Sequence, residues 1–411
     1  MLAHALGALR EREFRLLWIG QLLSNAGTSL LLVALTWAVV RLGSASDLGL
    51  VLAALVIPNL ALALVGGVWA DRLPRQRVML ASDLVRGTAQ TCAALLLVGG
   101  RAHLWHLLVF AAAYGSANAF FAPAANGLVP ETVRPELLQQ ANALMTISRR
   151  ATTVLGPVLS GFLVATIGPG WVFGIDGISF FASAAFLAAM TPTLRPDIRR
   201  RFSAELVSGW REVISRTWVW ASIVYFTVWN VAFAPFYVLG PFIVKRDLGG
   251  SFAWGAIFAL TGLGYIAGGA ASLRFRPARP LFVSYLLIAV YALPLALLAY
   301  RAPVAIIGAA AFFGAAMLEI ANTFWYTALQ RRVPRERLSR VLSYDSLGSL
   351  LFTPVGYMLA APIAGLIGER ATLLGAASIL WVTAVIVAAV PSIRNVRAVE
   401  PVAPAAVEQA V

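Results

Sequence analysis

The sequence predicts an all-α integral membrane protein, with twelve transmembrane helices in two pseudo-symmetric six-helix bundles and both termini cytosolic. Three observations predict it. Hydrophobic residues make up 60% of the 411 and charged residues 12%, well below the roughly 25% charged share of a soluble domain, so most of the surface must face lipid. The apolar residues fall in runs of roughly 20, the length a helix needs to cross the hydrocarbon core. The two halves of the chain also repeat one another. Gly67–Arg77 (GVWADRLPRQR) and Gly269–Arg279 (GAASLRFRPAR) are basic turns that each follow a long apolar run, and they lie about 200 residues apart.

The first residues carry Arg10, Arg12 and Arg15 with Glu11 and Glu13, and the apolar stretch behind them lacks a small-residue cleavage site. It reads as an uncleaved first span. Candidate spans lie at 16–40, 48–70, 78–99, 103–128, 141–166 and 171–191, then at 218–244, 251–273, 281–300, 303–328, 341–366 and 371–391. They group into an N-terminal bundle over 1–192 and a C-terminal bundle over 218–391. The linker between them, 193–217, begins with Arg195, Arg199, Arg200 and Arg201. Within it Phe202, Leu206, Trp210, Val213 and Ile214 share one helical face, the pattern of an amphipathic helix on the inner leaflet. The tail, 392–411, is Ala, Val and Pro with few anchors, and disorder is expected there.

A formal net charge of +14 raises nucleic acid as a partner, but the basic residues sit in short clusters between spans, which is a topology signal. With the N-terminus inside, six of the 32 Lys and Arg lie outside (Arg41, Arg101, Lys245, Arg246, Arg301, Arg370) and three within spans (Arg86, Arg149, Arg150). The remainder are cytosolic, as the positive-inside rule requires. Cys92 is the one cysteine and lies in an apolar run, which excludes a disulfide framework and a thiolate metal site. His103 and His106 flank Trp105 at the outer start of the fourth span and read as interfacial anchors, so no metal and no cofactor is expected.

The repeat continues beyond the two turns. Asn25 matches Asn230 at an offset of 205, Asn118 matches Asn322 at 204, and Gly156 matches Gly356 at 200. The turns Val133–Leu138 and Val333–Leu338 also correspond. Gly67, Asp71 and Arg72, followed by Arg75 and Arg77, resemble the loop signature between the second and third spans of the major facilitator superfamily. Pro74 stands where that family usually has Gly, and in the second copy Leu273 replaces the acid. On the fifth span Ala143, Thr152, Gly156, Pro157, Ser160 and Gly161 resemble in part the family's antiporter signature. Small residues and Pro let helices approach and bend, and ordinary packing is the competing explanation. Over nearly its full length the chain resembles the bacterial exporter branch that contains siderophore exporters and macrolide efflux pumps. Phe121-Ala122-Pro123 and Leu128-Val129-Pro130 at the end of the fourth span belong to that resemblance.

The resemblance implies a central cavity lined by spans one, four, seven and ten and opened alternately to each side. It also implies a cytosolic latch from Asp71 and its arginines to the start of span eleven, with Glu131 placed to receive Arg75 or Arg77. The four asparagines fall on the lining spans, and at about 1.5 Å per residue all lie roughly 12 to 18 Å from the cytosolic ends. Gln21, Asn25 and Thr28 share one helical face, as do Glu319, Asn322 and Tyr326. Such amides either line a wet cavity or bond a neighbouring helix as packing. Trp229 and Phe233, with Tyr225, Phe236, Tyr237, Phe120, Phe121 and Trp325 at the same level, suggest a large, partly apolar substrate.

Glu319 is the leading candidate for proton coupling, because a carboxylate at mid-membrane is costly unless it is protonated, paired or hydrated. It could equally neutralise a cationic substrate or sit in an ion pair. Asp83 is a second coupling candidate, although Arg86 three residues on can neutralise it. Arg149 and Arg150 need water, an acid or a cavity. Asp345 is expected in the first turn of span eleven, where an acid favours the helix dipole. The usual arginine of the family's antiporters on span four is absent, with Tyr114, Ser116 and Asn118 there instead, and Thr28 stands where many relatives carry a first-span acid.

The expected function is export of an amphipathic small molecule, of drug, macrolide or siderophore type, by alternating access and in antiport with protons. The protein would work as a monomer in the inner (plasma) membrane, with lipid, protons and a small-molecule substrate as its partners. An importer of a small solute, or a lipid or lysolipid flippase, uses the same fold. Nothing reads as catalytic: there is no HExxH, no nucleotide loop, and the histidines are peripheral.

Overall fold

A computed structural model of the chain describes residues 7–191 and 210–397, and within them leaves the side chains of 64–72, 335, 336 and 339 undescribed. All regular structure among the described residues is helical. The first group comprises α1 (Arg12–Leu42), α2 (Ala45–Arg72), α3 (Arg75–Val98), α4 (Leu104–Leu128), α5 (Leu138–Thr166) and α6 (Pro169–Ala188). The second comprises α7 (Thr217–Asp247), α8 (Gly250–Ser272), α9 (Pro280–Ile288), α10 (Leu293–Ala299) and α11 (Val304–Arg332), then α12 (Arg335–Leu350), α13 (Thr353–Ile367), α14 (Glu369–Ala389) and α15 (Pro391–Arg394).

Sequence explains where the helices stop and break. Gly168 and Gly368, which lead into α6 and α14, hold φ of 89° and 88°, a conformation that only glycine adopts without strain. The ninth candidate span is two helices, α9 and α10, joined by the 3-10 turn Ala289–Ala292 ahead of Pro294. The eleventh is likewise α12 and α13, which part ahead of Pro354. In both, the proline has no N–H to bond the preceding turn.

Ten helical runs among the described residues are long and apolar enough to cross a membrane, against the twelve expected. The two that fall short are α3, with Arg75, Arg77, Asp83 and Arg86, and α5, with Arg149 and Arg150. Their charge content lowers their hydropathy, yet they are 24 and 29 residues long and run beside α4 and α6, and beside α1 and α8, respectively. Asp345 also departs from expectation. Because the helix begins at Arg335, Asp345 lies towards the end of α12 instead of in a first turn, and it is buried.

Within the first group α2 packs on α4, and α6 on α1 and α3; within the second α8 packs on α11, and α7 on α13 and α14. The groups meet through α5 against α8 and α2 against α13. These contacts concentrate at the end of the bundle remote from the basic α2–α3 turn. A Cβ at Gly255 would stand 2.5 Å from the Pro157 carbonyl oxygen, and one at Gly161 would stand 2.7 Å from that of Ser251. Gly49 presses on the Tyr357 carbonyl. Lys245 Nζ donates to the Val40 carbonyl at 3.0 Å, tying α7 to α1. Burial follows: α1 from Val33 to Val40 and α7 from Ala232 to Phe236 are covered without a break, whereas Leu23 and Ala26, nearer the basic end of α1, are exposed. The cover on α1 and α7 is therefore greatest at the end remote from the basic turn.

Charges at the closed end neutralise one another. Arg246 bonds Glu369 at 2.8 Å and Arg301 bonds Asp247 at 2.6 Å, in a network of four groups across α7, α14 and the turn before α11. At the basic end, residues 210–214 of the linker are helical. There Glu212 accepts from Arg216 at 2.5 Å and from Arg337 of α12 at 2.6 Å. Phe202 and Leu206 of the expected amphipathic helix lie outside the described residues. The tail, expected to be disordered from 392, holds to 397: α15 buries Ile393, Val396 is also covered, and Arg332 donates to the Arg397 carbonyl at 2.8 Å. Residues 398–411 lie outside the description.

Overpacking the α5–α8 contact by Gly255→Leu is expected to cost about 1–3 kcal/mol, read as a lower melting temperature in detergent. Gly365→Leu, which meets open space, should leave the melting temperature unchanged. Hydrogen bonds from Arg337 and then Arg216 hold the Glu212 carboxyl below the usual carboxylate range. A depressed value means that the tie is present above that range and is lost as pH falls through it. Emission from Trp210, taken as wild type minus Trp210→Phe, should stay constant from neutral down to about pH 4 and change only below that.

Candidate substrate cavity and buried charge network

The polar side chains of α1 are largely covered within the first group. Gln21 is buried and its Nε2 has no partner, and Thr28 accepts from the Tyr114 hydroxyl of α4 at 3.4 Å. Asn25, Asn118 and Asn322 are half-buried and form no hydrogen bond among the described residues. Asn230 behaves differently. Its Nδ2 donates to the carbonyls of Phe226 at 2.8 Å and Ser349 at 3.1 Å, so it fastens α7 to α12.

The aromatic residues of α7 turn mainly into the second group. Phe233 is buried and stacks on Trp229 with centroids 5.3 Å apart, and both rings meet Tyr291. Trp325 donates to Asp345 at 3.0 Å, whereas Tyr326, one residue on, is 46% exposed. Glu319 on α11 bonds Arg150 on α5 at 2.9 Å. The pair joins the two groups near mid-depth, with Arg150 about half exposed and Glu319 largely covered.

At the basic end Arg75 Nη1 donates to the Gly127 carbonyl at 2.6 Å and to Glu131 at 2.8 Å, which ties the start of α3 to the end of α4. Arg77 lines a groove of about 390 Å³ between α3 and α4 with Leu73 and Phe120. The side chains of Gly67, Asp71 and Arg72 lie outside the description. On α5, Gly156 lies against Ser29 of α1, and Pro157 and Gly161 form the contact with Gly255. The small residues of this helix serve close approach on two sides.

Between α3 and α6 lies a charge cluster only partly anticipated. Arg86 bonds Asp83, and Ser183 Oγ donates to the other Asp83 oxygen at 2.7 Å. Phe121 and Phe180 close over the guanidinium with centroids at 3.9 and 4.4 Å. Such faces attract a cation and exclude water. The pairing of Asp83 with Arg86 follows from their spacing, and the structure adds Asp176 on α6 to them. It is 1% exposed, and its Oδ2 accepts from Gln90 of α3 at 2.7 Å. The signal was in the sequence: Asp176, Ser179 and Ser183 recur at i, i+3 and i+7 within an otherwise apolar run, which makes a polar stripe on one helix face.

A family model for the Major Facilitator Superfamily matches residues 17–349. The chain belongs to this superfamily. It is therefore a multi-pass membrane transporter of a small-molecule substrate. Among its relatives, the multidrug efflux pump Tap of Mycobacterium tuberculosis is 26% identical, with 92% of this chain and 94% of Tap covered. The enterobactin exporter EntS of Shigella boydii is 27% identical over 73% of this chain and 74% of its own. Among solved structures, the nucleoside transporter NupG superposes with a TM-score of 0.69 at 13% identity, covering 91% of this chain and 98% of NupG. That likeness concerns the fold.

Because Asn230 holds a helix contact, Asn230→Ala should lower the melting temperature by the equivalent of about 1 kcal/mol. Asn25→Ala and Asn322→Ala should leave thermal stability unchanged and alter only transport, measured as ethidium accumulation in an efflux-deficient host.

Proposed function

We propose that this transporter exports an amphipathic small molecule from the cytosol by alternating access, in antiport with protons. The observation that carries the reading is the closure of one end by the α5–α8 and α2–α13 contacts, where α1 and α7 are covered, against the exposure of Leu23 and Ala26 nearer the basic end. The relatives that cover most of the chain, a multidrug efflux pump and an enterobactin exporter, favour outward movement. In this reading α3 and α5 complete twelve spans in two six-helix bundles, the basic end and both termini are cytosolic, and the protein works as a monomer in the inner membrane.

The lining is Gln21, Asn25, Thr28, Asn118, Asn322 and Tyr326, with Trp229, Asn230 and Phe233 forming the wall behind it. The substrate enters from the cytosol. Arg150 and Glu319 tie the groups across the middle, and separating them lets the halves rock. Glu319 can then take a proton or meet a cationic substrate group. In the opposite state the Gly67–Arg77 loop, with Asp71 and Arg72, grips the start of α12, while Arg75 stays anchored on Glu131.

Cells expressing the protein in an efflux-deficient host should accumulate less ethidium than controls, and an uncoupler should abolish the difference. Glu319→Gln and Asp71→Asn should each lower gradient-driven efflux several-fold with expression intact. Wild-type rates in both variants, or efflux indifferent to the uncoupler, would count against this reading.

A further inference from the structure

We propose that Asp176 is a proton-binding carboxylate of this transporter, held in a buried cluster with Asp83, Arg86 and Gln90 and covered by α1 at Gly27. The proposal rests on the antiport reading above and names where the proton binds.

α3 and α6 run antiparallel and present matching polar stripes to one another. Asp83, Arg86 and Gln90 on α3 face Ser183, Ser179 and Asp176 on α6. All of these except Ser179, which is part-buried, are at least nine-tenths covered. Asp83 is fully satisfied, with Arg86 on one carboxylate oxygen and Ser183 on the other. Asp176 is not. Gln90 supplies one neutral donor to Oδ2, the neighbouring Ser179 hydroxyl donates to the Asp176 backbone carbonyl, and Oδ1 accepts no hydrogen bond.

Charge counting sharpens the point. The cluster holds two carboxylates and one guanidinium, and that guanidinium is already bonded to Asp83 and enclosed by Phe121 and Phe180. From α4 the facing titratable group is Tyr114, which is neutral, and α1 contributes Gly27 and Thr28. No second cation faces Asp176 among the described residues. A buried carboxylate in excess of its counter-charge is relieved by taking up a proton, which also turns an orphaned acceptor into a hydroxyl.

Position suits the role. Asp176 lies seven residues from the start of α6 and twelve from its end, about 10 and 18 Å along the axis, near mid-depth.

The cover links the acid to the cavity. A Cβ at Gly27 would stand 2.6 Å from Asp176 Oδ1 and would collide with Ser179, so the α1 backbone lies directly on the carboxyl group. Protonated, Asp176 is neutral and tolerates this cover. Release of the proton to water leaves an uncompensated charge that demands hydration, and α1 must lift from α6 to admit it. No other bond changes in the step. Because α1 carries Gln21, Asn25 and Thr28, and Thr28 receives the Tyr114 hydroxyl, lifting α1 moves the cavity lining. Glu319, in contrast, already has its cation in Arg150.

Infrared difference spectra of the full chain in lipid nanodiscs, titrated between about pH 5 and pH 9 in sodium-free buffer, test the assignment. Wild type should show a carboxylic-acid band that titrates in this range and is displaced when the protein carries isotope-labelled aspartate. The band should persist in Glu319→Gln and vanish in Asp176→Asn. Labelling narrows the band to aspartate, and its persistence in Asp83→Asn and Asp345→Asn, the other buried aspartates, assigns it to Asp176 even if Asp176→Asn is misfolded. Absence of a titrating band, a band unmoved by labelled aspartate, one that survives Asp176→Asn, or one that sodium abolishes would overturn the proposal. A titrating Asp176 band together with ethidium flux in proteoliposomes that ignores a pH gradient would sink the antiport reading and leave the proton site standing. Gradient-driven flux without the band would do the reverse.

Discussion

The arrangement of the molecule depends on backbone-to-backbone contact between its halves. Inside lipid the hydrophobic effect does not pull one apolar helix toward another, so association relies on close packing and on bonds between helices. Gly161 against Gly255 and Gly49 against Tyr357 supply the closest approach, and Lys245 adds a hydrogen bond to the Val40 carbonyl. These contacts lie at one end. They set the burial of the outer halves of α1 and α7, while within the first group α1 lies on α6 where Gly27 covers Asp176.

Charge is the second constraint, and the chain meets it differently in its two halves. In the first half α3 and α6 enclose Asp83, Arg86 and Asp176. The repeat offset of 202 that relates Gly67 to Gly269 carries Asp83 onto Tyr285. There the side chain is neutral and turns to a different helix: the Tyr285 hydroxyl donates to Ser222 of α7, beneath Tyr225. Duplication preserved the path of the helices while this α3–α6 charge cluster persisted in one copy. The basic turns show the same asymmetry, with Asp71 in the first and Leu273 in the second. The first half encloses the Asp83, Arg86 and Asp176 cluster, and the second supplies an aromatic wall of Trp229, Phe233, Phe236 and Tyr291 together with Glu319 and Asp345.

Much of this was legible in the sequence. The helix positions followed from apolar runs to within a few residues, because length and polarity are local properties that a bilayer tests directly. The Asp83–Arg86 and Arg75–Glu131 pairs followed from spacing and from the placement of turns. Less legible were the breaks at Pro294 and Pro354, since a proline near a span centre can be absorbed as a kink or can end a helix. Asn230 illustrates a deeper ambiguity. Its sequence context matches that of Asn25, yet one amide clasps carbonyls of a neighbouring helix and the other finds no partner.

By itself the sequence determined the membrane environment, the helical class, the internal duplication and the family resemblance, because each is written in composition, period or local motif. Tertiary structure decided which charges meet. Arg150 and Glu319 stand 169 residues apart, and Asp176 lies 86 from Gln90. Pattern alone does not rank such pairs, since any of several acids could lie opposite any of several bases until the packing of small residues sets the rotation of each helix. Packing also decided that Asp176 has an oxygen without a donor. That is a property of the space around a residue, and no local stretch of sequence encodes it.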